Sequence, residues 1–415
     1  MKRSSFIAVL ALLGLAGAAQ AQPAASPAPI RGLVSQLIPD QYIVELAPGE
    51  ARGGAVRQAA LGLVGSVGGG ELLQVYGHAL NGFSVRLPAV AAEALARNPR
   101  VRRIEQDRSM FLSETQFNPP SYGLDRIDQV DLPLDNQYSY PASAGQGVHV
   151  YVIDTGLNAT HVDFAGDRVQ PGRNFAPNGS QGLLCTLLGI GCPPVDPANT
   201  TDCNGHGTHV SGTSVGSSFG VAKRALLHPV RVFGCGNSTT TSAIIAGVDW
   251  VTANRQLPAV VNMSLGGGAS ELLDTAVNNL IDAGVTAVVA AGNENANACS
   301  GSPSRVPRAI TIGATTNTDA RASYSNFGTC VDLFAPGSNI VSAAYNSATG
   351  TATLSGTSMA SPHVAGAAAR YLAANPGANA AAVDAALKAS ASSGKVGNPG
   401  TGSPNLLLRL DPVAY

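Results

Sequence analysis

Three short segments of this chain carry side chains whose types suit nucleophilic catalysis. The first is Asp154-Thr155-Gly156, which closes the apolar run VHVYVI and would place a carboxylate at the rim of a sheet. Alone it says little, because paired catalytic aspartates use the same tripeptide and an Asp after a strand is commonly a turn former. The second is Asn204-Gly205-His206-Gly207-Thr208-His209, where glycines on both sides of His206 let another chain approach the imidazole closely. His206 and His209 lie three apart, but no acidic residue separates them and the H-E-x-x-H zinc arrangement is absent. The third is Gly356-Thr357-Ser358-Met359-Ala360, in which Ser358 opens an Ala-rich helical pattern, so that backbone N–H groups and the helix dipole face its hydroxyl. A serine hydroxyl is a poor nucleophile at neutral pH until a histidine accepts its proton, and a carboxylate holds that histidine in the needed tautomer. Gly212 to Gly216 also fits Gly-x-Ser-x-Gly, but no strand precedes it.

The elements that must hold these groups follow from the hydrophobic pattern. VHVYVID, ALLHPVRVF, AVVNMSL, VTAVVAAGN, AITIGAT and VDLFAPG are apolar runs too continuous for half-exposed strands, and they read as buried parallel strands. Helical patterns lie between several of them, such as Ser242 to Asn254 and Ser270 to Ala283. This alternation predicts an α/β fold with a doubly wound, mostly parallel sheet, whose active sites gather at the carboxyl ends of the strands. Ser358 to Ala374 and Ala378 to Ser390 read as two further helices. Before this region, Gln41 to Arg108 gives strand, helix, two strands, helix and strand, a small α+β ferredoxin-like unit. Ser113 to Ser121, with Asn118-Pro119-Pro120, reads as a linker.

The 415 residues, 45% hydrophobic and 12% charged, describe a globular protein with ample core. A net charge of -1 without dense runs of either sign offers no nucleic-acid groove and no polybasic membrane patch. Residues 1–21 run from Lys2 and Arg3 through the apolar stretch Phe6 to Leu15 to Ala19-Gln20-Ala21, the pattern of a cleaved signal peptide too short to span a bilayer. Residues 22–37 read as a Pro/Ala-rich linker. Export leads to an oxidising compartment, where Cys185, Cys192, Cys203, Cys235, Cys299 and Cys330 are read as disulfide-bonded, since no C-x-x-C pair suggests zinc.

Asp154-Thr155-Gly156, His206-Gly207-Thr208-His209 and Gly356-Thr357-Ser358-Met359-Ala360, in the order Asp, His, Ser, together resemble the subtilisin superfamily of serine proteases. YGLDRIDQ, DCNGHGTHVSGT, SLGGG, AAGNENANAC and SNFGTCVDLFAPG are most similar to its proteinase K and aqualysin branch. The resemblance covers Tyr122 to the C-terminus, and the ferredoxin-like unit is similar to the family's inhibitory propeptide. It implies a secreted serine endopeptidase with polypeptide substrates, made as a self-processing zymogen. Its parts would be a propeptide at 38–114, which inhibits and helps the slow-folding parallel sheet form, and a peptidase domain at 115–415. The mature chain would start near Thr115, in a flexible stretch from Ser113 to Phe117. A monomer is expected, with neither nucleic acid nor membrane as partner. A catalytically silent fold serving as a binding module is the alternative, and such a chain would be expected to lack one of the key residues.

The same resemblance assigns catalysis to Asp154, His206 and Ser358, with Asn293 as oxyanion donor beside the Ser358 N–H. Ser264, Leu265 and Gly266 would pair with an extended peptide, and Ala291 and Gly292 would line a small, uncharged pocket favouring apolar or aromatic residues. Gly236 to Thr241 would form a second substrate-facing strand. By resemblance Cys203 pairs with Cys235 and Cys299 with Cys330, leaving Cys185 and Cys192 to pair within a Leu183 to Pro197 insertion. Structural calcium is expected at Asp125, Asp128, Gln129 and Asp135, and at Asp332 with the carbonyls of Pro307 and Ala309. Catalysis itself would need no cofactor.

Overall fold

The computed structural model describes residues 37–108, 113–176 and 195–411. The expected signal peptide, nearly all of the 22–37 linker and most of the Leu183 to Pro197 insertion, with Cys185 and Cys192, lie outside these residues.

The first unit contains β1 (Leu37–Leu46), α1 (Val56–Ser66), β2 (Glu71–Tyr76), β3 (Gly82–Arg86), α2 (Ala89–Ala96) and β4 (Val101–Arg108). Its antiparallel sheet has the order β2-β3-β1-β4. Val44, Phe83 and Val85 from the strands meet Val56, Ala60, Leu63 and Leu95 from the helices in a core of its own. The expected βαββαβ order is present. The expected flexible stretch is not, because Ser113–Phe117 forms β5, paired antiparallel with β6 (Gln137–Pro141). Its sequence, SETQF, has no apolar alternation that could announce a strand. What holds it is the partner strand, an ion pair from Glu114 to Arg224 at 3.2 Å and a hydrogen bond from Gln116 Nε2 to the Ser218 carbonyl at 3.0 Å.

The remaining strands are β7 (His149–Asp154), β8 (Arg173–Asn174), β9 (Leu226–Arg231), β10 (Ala259–Met263), β11 (Gly267–Gly268), β12 (Val285–Ala290), β13 (Gly301–Ser302) and β14 (Ile310–Thr315). β15 (Leu333–Pro336), β16 (Ile340–Ala343), β17 (Thr351–Leu354), β18 (Ser392–Ser393) and β19 (Leu406–Leu407) follow. The helices are α3 (Tyr122–Ile127), α4 (His206–Val215), α5 (Thr241–Asn254), α6 (Glu271–Asp282), α7 (Thr357–Ala374) and α8 (Ala380–Ser390). Nine strands form one sheet in the order β18-β19-β15-β14-β12-β10-β7-β9-β8, parallel except where β18 meets β19.

Because side chains alternate across a strand, a sheet covered on both faces needs apolar residues at every position. On β7, Val150 and Val152 enter one core with Val210 of α4 and Val364 of α7, whereas Tyr151 and Ile153 enter the other with Val248 of α5 and Val277 of α6. Chain order reverses at β7, which lies between β9 and β10, and a crevice opens beyond the strand ends at such a reversal. Asp154 ends β7 there. Gly236 to Thr241 differs from expectation: its first five residues are irregular and Thr241 opens α5, with Thr240 Oγ1 accepting from Ala243 N at 3.2 Å as a cap. Among the described residues no helix is long and apolar enough to cross a membrane.

Candidate active site

At the end of β7 the buried Asp154 carboxylate faces His206, the first residue of α4. His206 Nδ1 lies 2.8 Å from Asp154 Oδ1 and 3.0 Å from Oδ2, and Oδ1 also accepts from the Thr155 N–H at 2.8 Å. A carboxylate can only accept, so Nδ1 carries the proton and Nε2 is left as the basic nitrogen. The glycines beside His206 permit this approach. Gly205 sits at φ +110°, and a Cβ on Gly207 would fall 2.3 Å from the Gly156 carbonyl oxygen. Burial opposes protonation of the imidazole, but the charge and hydrogen bond of Asp154, with help from Asp202, outweigh it and hold the His206 pKa above the ordinary histidine value.

Ser358 stands in the first turn of α7, whose N–H groups have no intrahelical acceptor. Its hydroxyl donates to the Ser264 carbonyl at 3.2 Å, so it must rotate from that acceptor to donate to His206. Ser264 Oγ in turn donates to the Ser358 carbonyl at 2.8 Å and accepts from Asn262 Nδ2 at 2.9 Å, while Ser361 Oγ donates to Asn262 Oδ1 at 2.8 Å. This network locks the end of β10 to the start of α7. Asn293 Oδ1 accepts from the Thr357 N–H at 2.8 Å and from Thr357 Oγ1 at 3.0 Å. A backbone N–H can only donate, so the atom facing it is the amide oxygen, and the Asn293 NH₂ is thereby turned outward as a donor.

Leu265, Gly266, Ala291 and Gly292 line a cavity of about 460 Å³ together with Asn293 and Ser358. Ser264 lies beside it through its bonds to Ser358. The lining is less neutral than expected, because Glu294 joins it, with its carboxylate accepting from Asn326 Nδ2 at 2.8 Å. Sequence reasoning gave no role of their own to Thr357 and Asp202, which stand inside quoted motifs, or to Asn262 and Ser361. Their roles depend on partners up to 99 residues away, as with Ser361 and Asn262, which no local motif announces. Cys203–Cys235 and Cys299–Cys330 are bonded. The first bridge joins the loop leading into His206 to the start of the irregular Gly236 segment, and Asn204 Nδ2 reinforces it with a 2.8 Å bond to Asn237 Oδ1.

The two expected calcium sites differ. Near α3, burial and then the charge of Asp135 raise the pKa of both Asp125 and Asp128. Burial chiefly, then the charges of Asp135 and Asp125, pushes Asp128 up to about 7. Gln129 Oε1 is buried without a partner. Three carboxylates and an orphaned amide oxygen are a donor set that fits a hard cation, although no three acidic or histidine side chains among the described residues converge as a metal cluster. Asp332 does not fit. Lys388 Nζ donates to its Oδ1 at 2.7 Å and to Asp384 Oδ2 at 2.8 Å, and the Thr311 N–H donates to its Oδ2 at 2.9 Å. An ammonium thus neutralises the carboxylate that calcium would need, while Pro307 and Ala309 line a cavity with Asp384 instead.

Residues 145–405 match the model of the subtilase family, and residues 41–113 match that of peptidase inhibitor I9. The chain is 47% identical to an extracellular serine proteinase of Thermus sp. (strain Rt41A), over 98% of this chain and 99% of that protein. It is 48% identical to alkaline serine exoprotease A of Vibrio alginolyticus, over 81% of this chain and 60% of that protein. The crystal structure of a cold adapted subtilisin-like serine proteinase superposes with a TM-score of 0.62 at 49% identity, covering 69% of this chain and 97% of that one.

Proposed function

Because this chain belongs to the subtilase family of serine proteinases and carries an inhibitor I9 segment, we propose that it is a secreted, self-processing endopeptidase with Asp154, His206 and Ser358 as its triad. The observation that carries this reading is the 2.8 Å contact between buried Asp154 and His206 Nδ1 at the strand-end crevice. Once Ser358 Oγ turns from Ser264 toward His206 Nε2, it loses its proton to that nitrogen as it bonds to the carbonyl carbon of the scissile peptide. The negative charge passes to the carbonyl oxygen, which the Ser358 N–H and the Asn293 NH₂ would stabilise by hydrogen bonds. Collapse expels the amine with the proton from His206, leaving an acyl-serine. Water then repeats the sequence and frees the acid. Asp154 keeps its charge throughout and stabilises the imidazolium.

The substrate lies extended along Ser264, Leu265 and Gly266, with the side chain before the scissile bond in the cavity lined by Ala291 and Gly292. That lining favours apolar and aromatic residues, with the Glu294 carboxylate held by Asn326 at one wall. Residues 38–114 act as intramolecular inhibitor and folding aid. A cut near Thr115 falls within β5, so in this reading β5 must detach from β6 to be cleaved. Export rests on the Lys2 to Ala21 pattern and on the extracellular description of the Thermus relative. Calcium held by Asp125, Asp128, Asp135 and Gln129 would stabilise the fold without entering the chemistry. The test is to purify the full chain and follow it by mass spectrometry with casein as substrate. Expected are a new N-terminus near Thr115, casein digestion, and loss of both when a serine-directed phosphonate labels Ser358. Labelling elsewhere, or digestion surviving full labelling, overturns the reading.

A further inference from the structure

Asp202 lies four residues before His206, is 5% exposed, and takes no part in the steps above. Its Oδ1 accepts from Thr155 Oγ1, the Asn204 N–H and the Gly205 N–H, each at 2.9 Å. Its Oδ2 accepts from the Thr208 N–H at 2.9 Å and from Thr208 Oγ1 at 2.6 Å. Thr155 follows Asp154 directly, and its Oγ1 also accepts from the Gly207 N–H at 2.7 Å. One buried anion therefore gathers the residue after the catalytic carboxylate and residues on both sides of the catalytic imidazole.

Resting on the triad reading, we propose that Asp202 is a positioning residue for this reaction, clamping the end of β7 to the start of α4 and so setting the approach of Asp154 to His206. Only an ionised carboxylate suits the place. It offers two acceptor oxygens to five donors, whereas an amide there would turn its NH₂ against backbone N–H groups on one side. Burial alone would favour its protonated form, but the hydrogen bonds from Thr208, Gly205 and Asn204 prevail and keep its pKa below the usual carboxylate value. Its charge also reaches the reaction, since it adds to that of Asp154 in favouring the protonated His206. Among the described residues, Arg231 on β9 feels the charge of Asp202, His209 on α4 faces His206, and the Tyr345 ring lies against Gly205.

The test compares Asp202→Asn, Thr155→Val and Thr208→Ser with the parent, each matured by added parent enzyme that is then removed. A peptide substrate gives kcat and KM from pH 5 to 9. For Asp202→Asn we expect kcat lowered by about 10- to 100-fold, as for a catalytic pair slightly misaligned, with KM within about twofold because the substrate cavity is untouched. The acid limb of kcat/KM should move to lower pH as His206 loses a neighbouring negative charge. Thr155→Val removes one link of the clamp and should lower kcat without moving that limb, and Thr208→Ser, which keeps its donor, should keep near-parent values. A folded Asp202→Asn enzyme with parent kcat and an unmoved acid limb overturns the proposal, as does a loss of melting temperature alone. If Asp202→Asn fails to fold, Thr155→Val decides through kcat. An active Ser358→Ala protein would instead refute the triad itself, so the two failures are distinguishable.

Discussion

Replacing His228 should change how the stability of the peptidase domain responds to acid, by an amount that follows from its surroundings. His228 is 2% exposed on β9, where its ring stacks on Tyr151 with centroids 4.2 Å apart. Its Nδ1 lies 2.9 Å from the Pro171 carbonyl oxygen and its Nε2 lies 2.8 Å from His149 Nδ1. The carbonyl can only accept, so His228 Nδ1 carries the proton and Nε2 accepts from His149. A second proton on His228 would remove that acceptor and place a buried cation against an N–H. Burial first, and the nearby His149 as well, lowers its pKa to about 4. A pKa depressed below its unfolded value contributes stability that is complete above about 6.5 and is lost as pH falls toward the folded value. Between pH 8 and pH 5 the loss from values of about 4 and 6.5 is about 2 kcal/mol. The measurement is urea unfolding of His228→Gln and its parent, both in a Ser358→Ala background to prevent self-digestion. The chain's single tryptophan, Trp250, reports it, packed edge-on to Tyr151 at 6.4 Å. His228→Gln should be the less stable protein at pH 8, and the gap should narrow by about 2 kcal/mol at pH 5. A gap that is constant across this range would refute the reasoning.

Other outcomes follow from the charged clusters. Calcium should raise the melting temperature of the full chain most strongly above pH 7. There Asp128, raised to about 7, has lost its proton and with it the stability of its neutral form, so that like charges face one another. Asp128→Asn should abolish the calcium response, and a response unchanged by that substitution or by pH would remove the Asp125, Asp128 and Asp135 site. Lys388→Gln should cost about 1–2 kcal/mol, discounted for its partial exposure, measured as a lower urea midpoint. It should also create a calcium response that Asp332→Asn cancels. Calcium binding through Asp332 in the unaltered chain, seen by titration calorimetry as a site lost in Asp332→Asn, would contradict the assignment of Lys388. Asn293→Ala should lower kcat by about 10²–10³-fold, the magnitude of one oxyanion donor, and a fall below tenfold would argue against that role.

The parts of the fold legible in the sequence are those where one local pattern decides the outcome. VHVYVI had to be a strand buried on both faces, because Val150 and Val152 serve one core and Tyr151 and Ile153 the other. The alternation in residues 41–108 similarly dictates βαββαβ. Strand β5 was hidden because SETQF owes its conformation to β6, Arg224 and Ser218. At the site, Asp154, His206, Ser358 and Asn293 stand in short motifs, whereas Asp202 gains its meaning only when Thr155, 47 residues earlier, folds back onto it. Lys388 bears on the expected Asp332 calcium site in the same way: it is 56 residues distant, and only the packing of α8 brings its ammonium to the carboxylate. Spacing in the chain encodes local chemistry, and long-range neutralisation of charge is set by the fold.

The central claim, that Ser358 is the nucleophile that His206 and Asp154 activate, is tested most directly by Ser358→Ala. The full chain and this variant are expressed in parallel, and hydrolysis of a chromogenic peptide with an apolar residue before the scissile bond is measured alongside the N-terminal sequence. The account predicts a folded variant that stays uncleaved near Thr115 and hydrolyses the peptide at least about 10⁵-fold more slowly. A Ser358→Ala protein that matures unaided and retains appreciable turnover would contradict it.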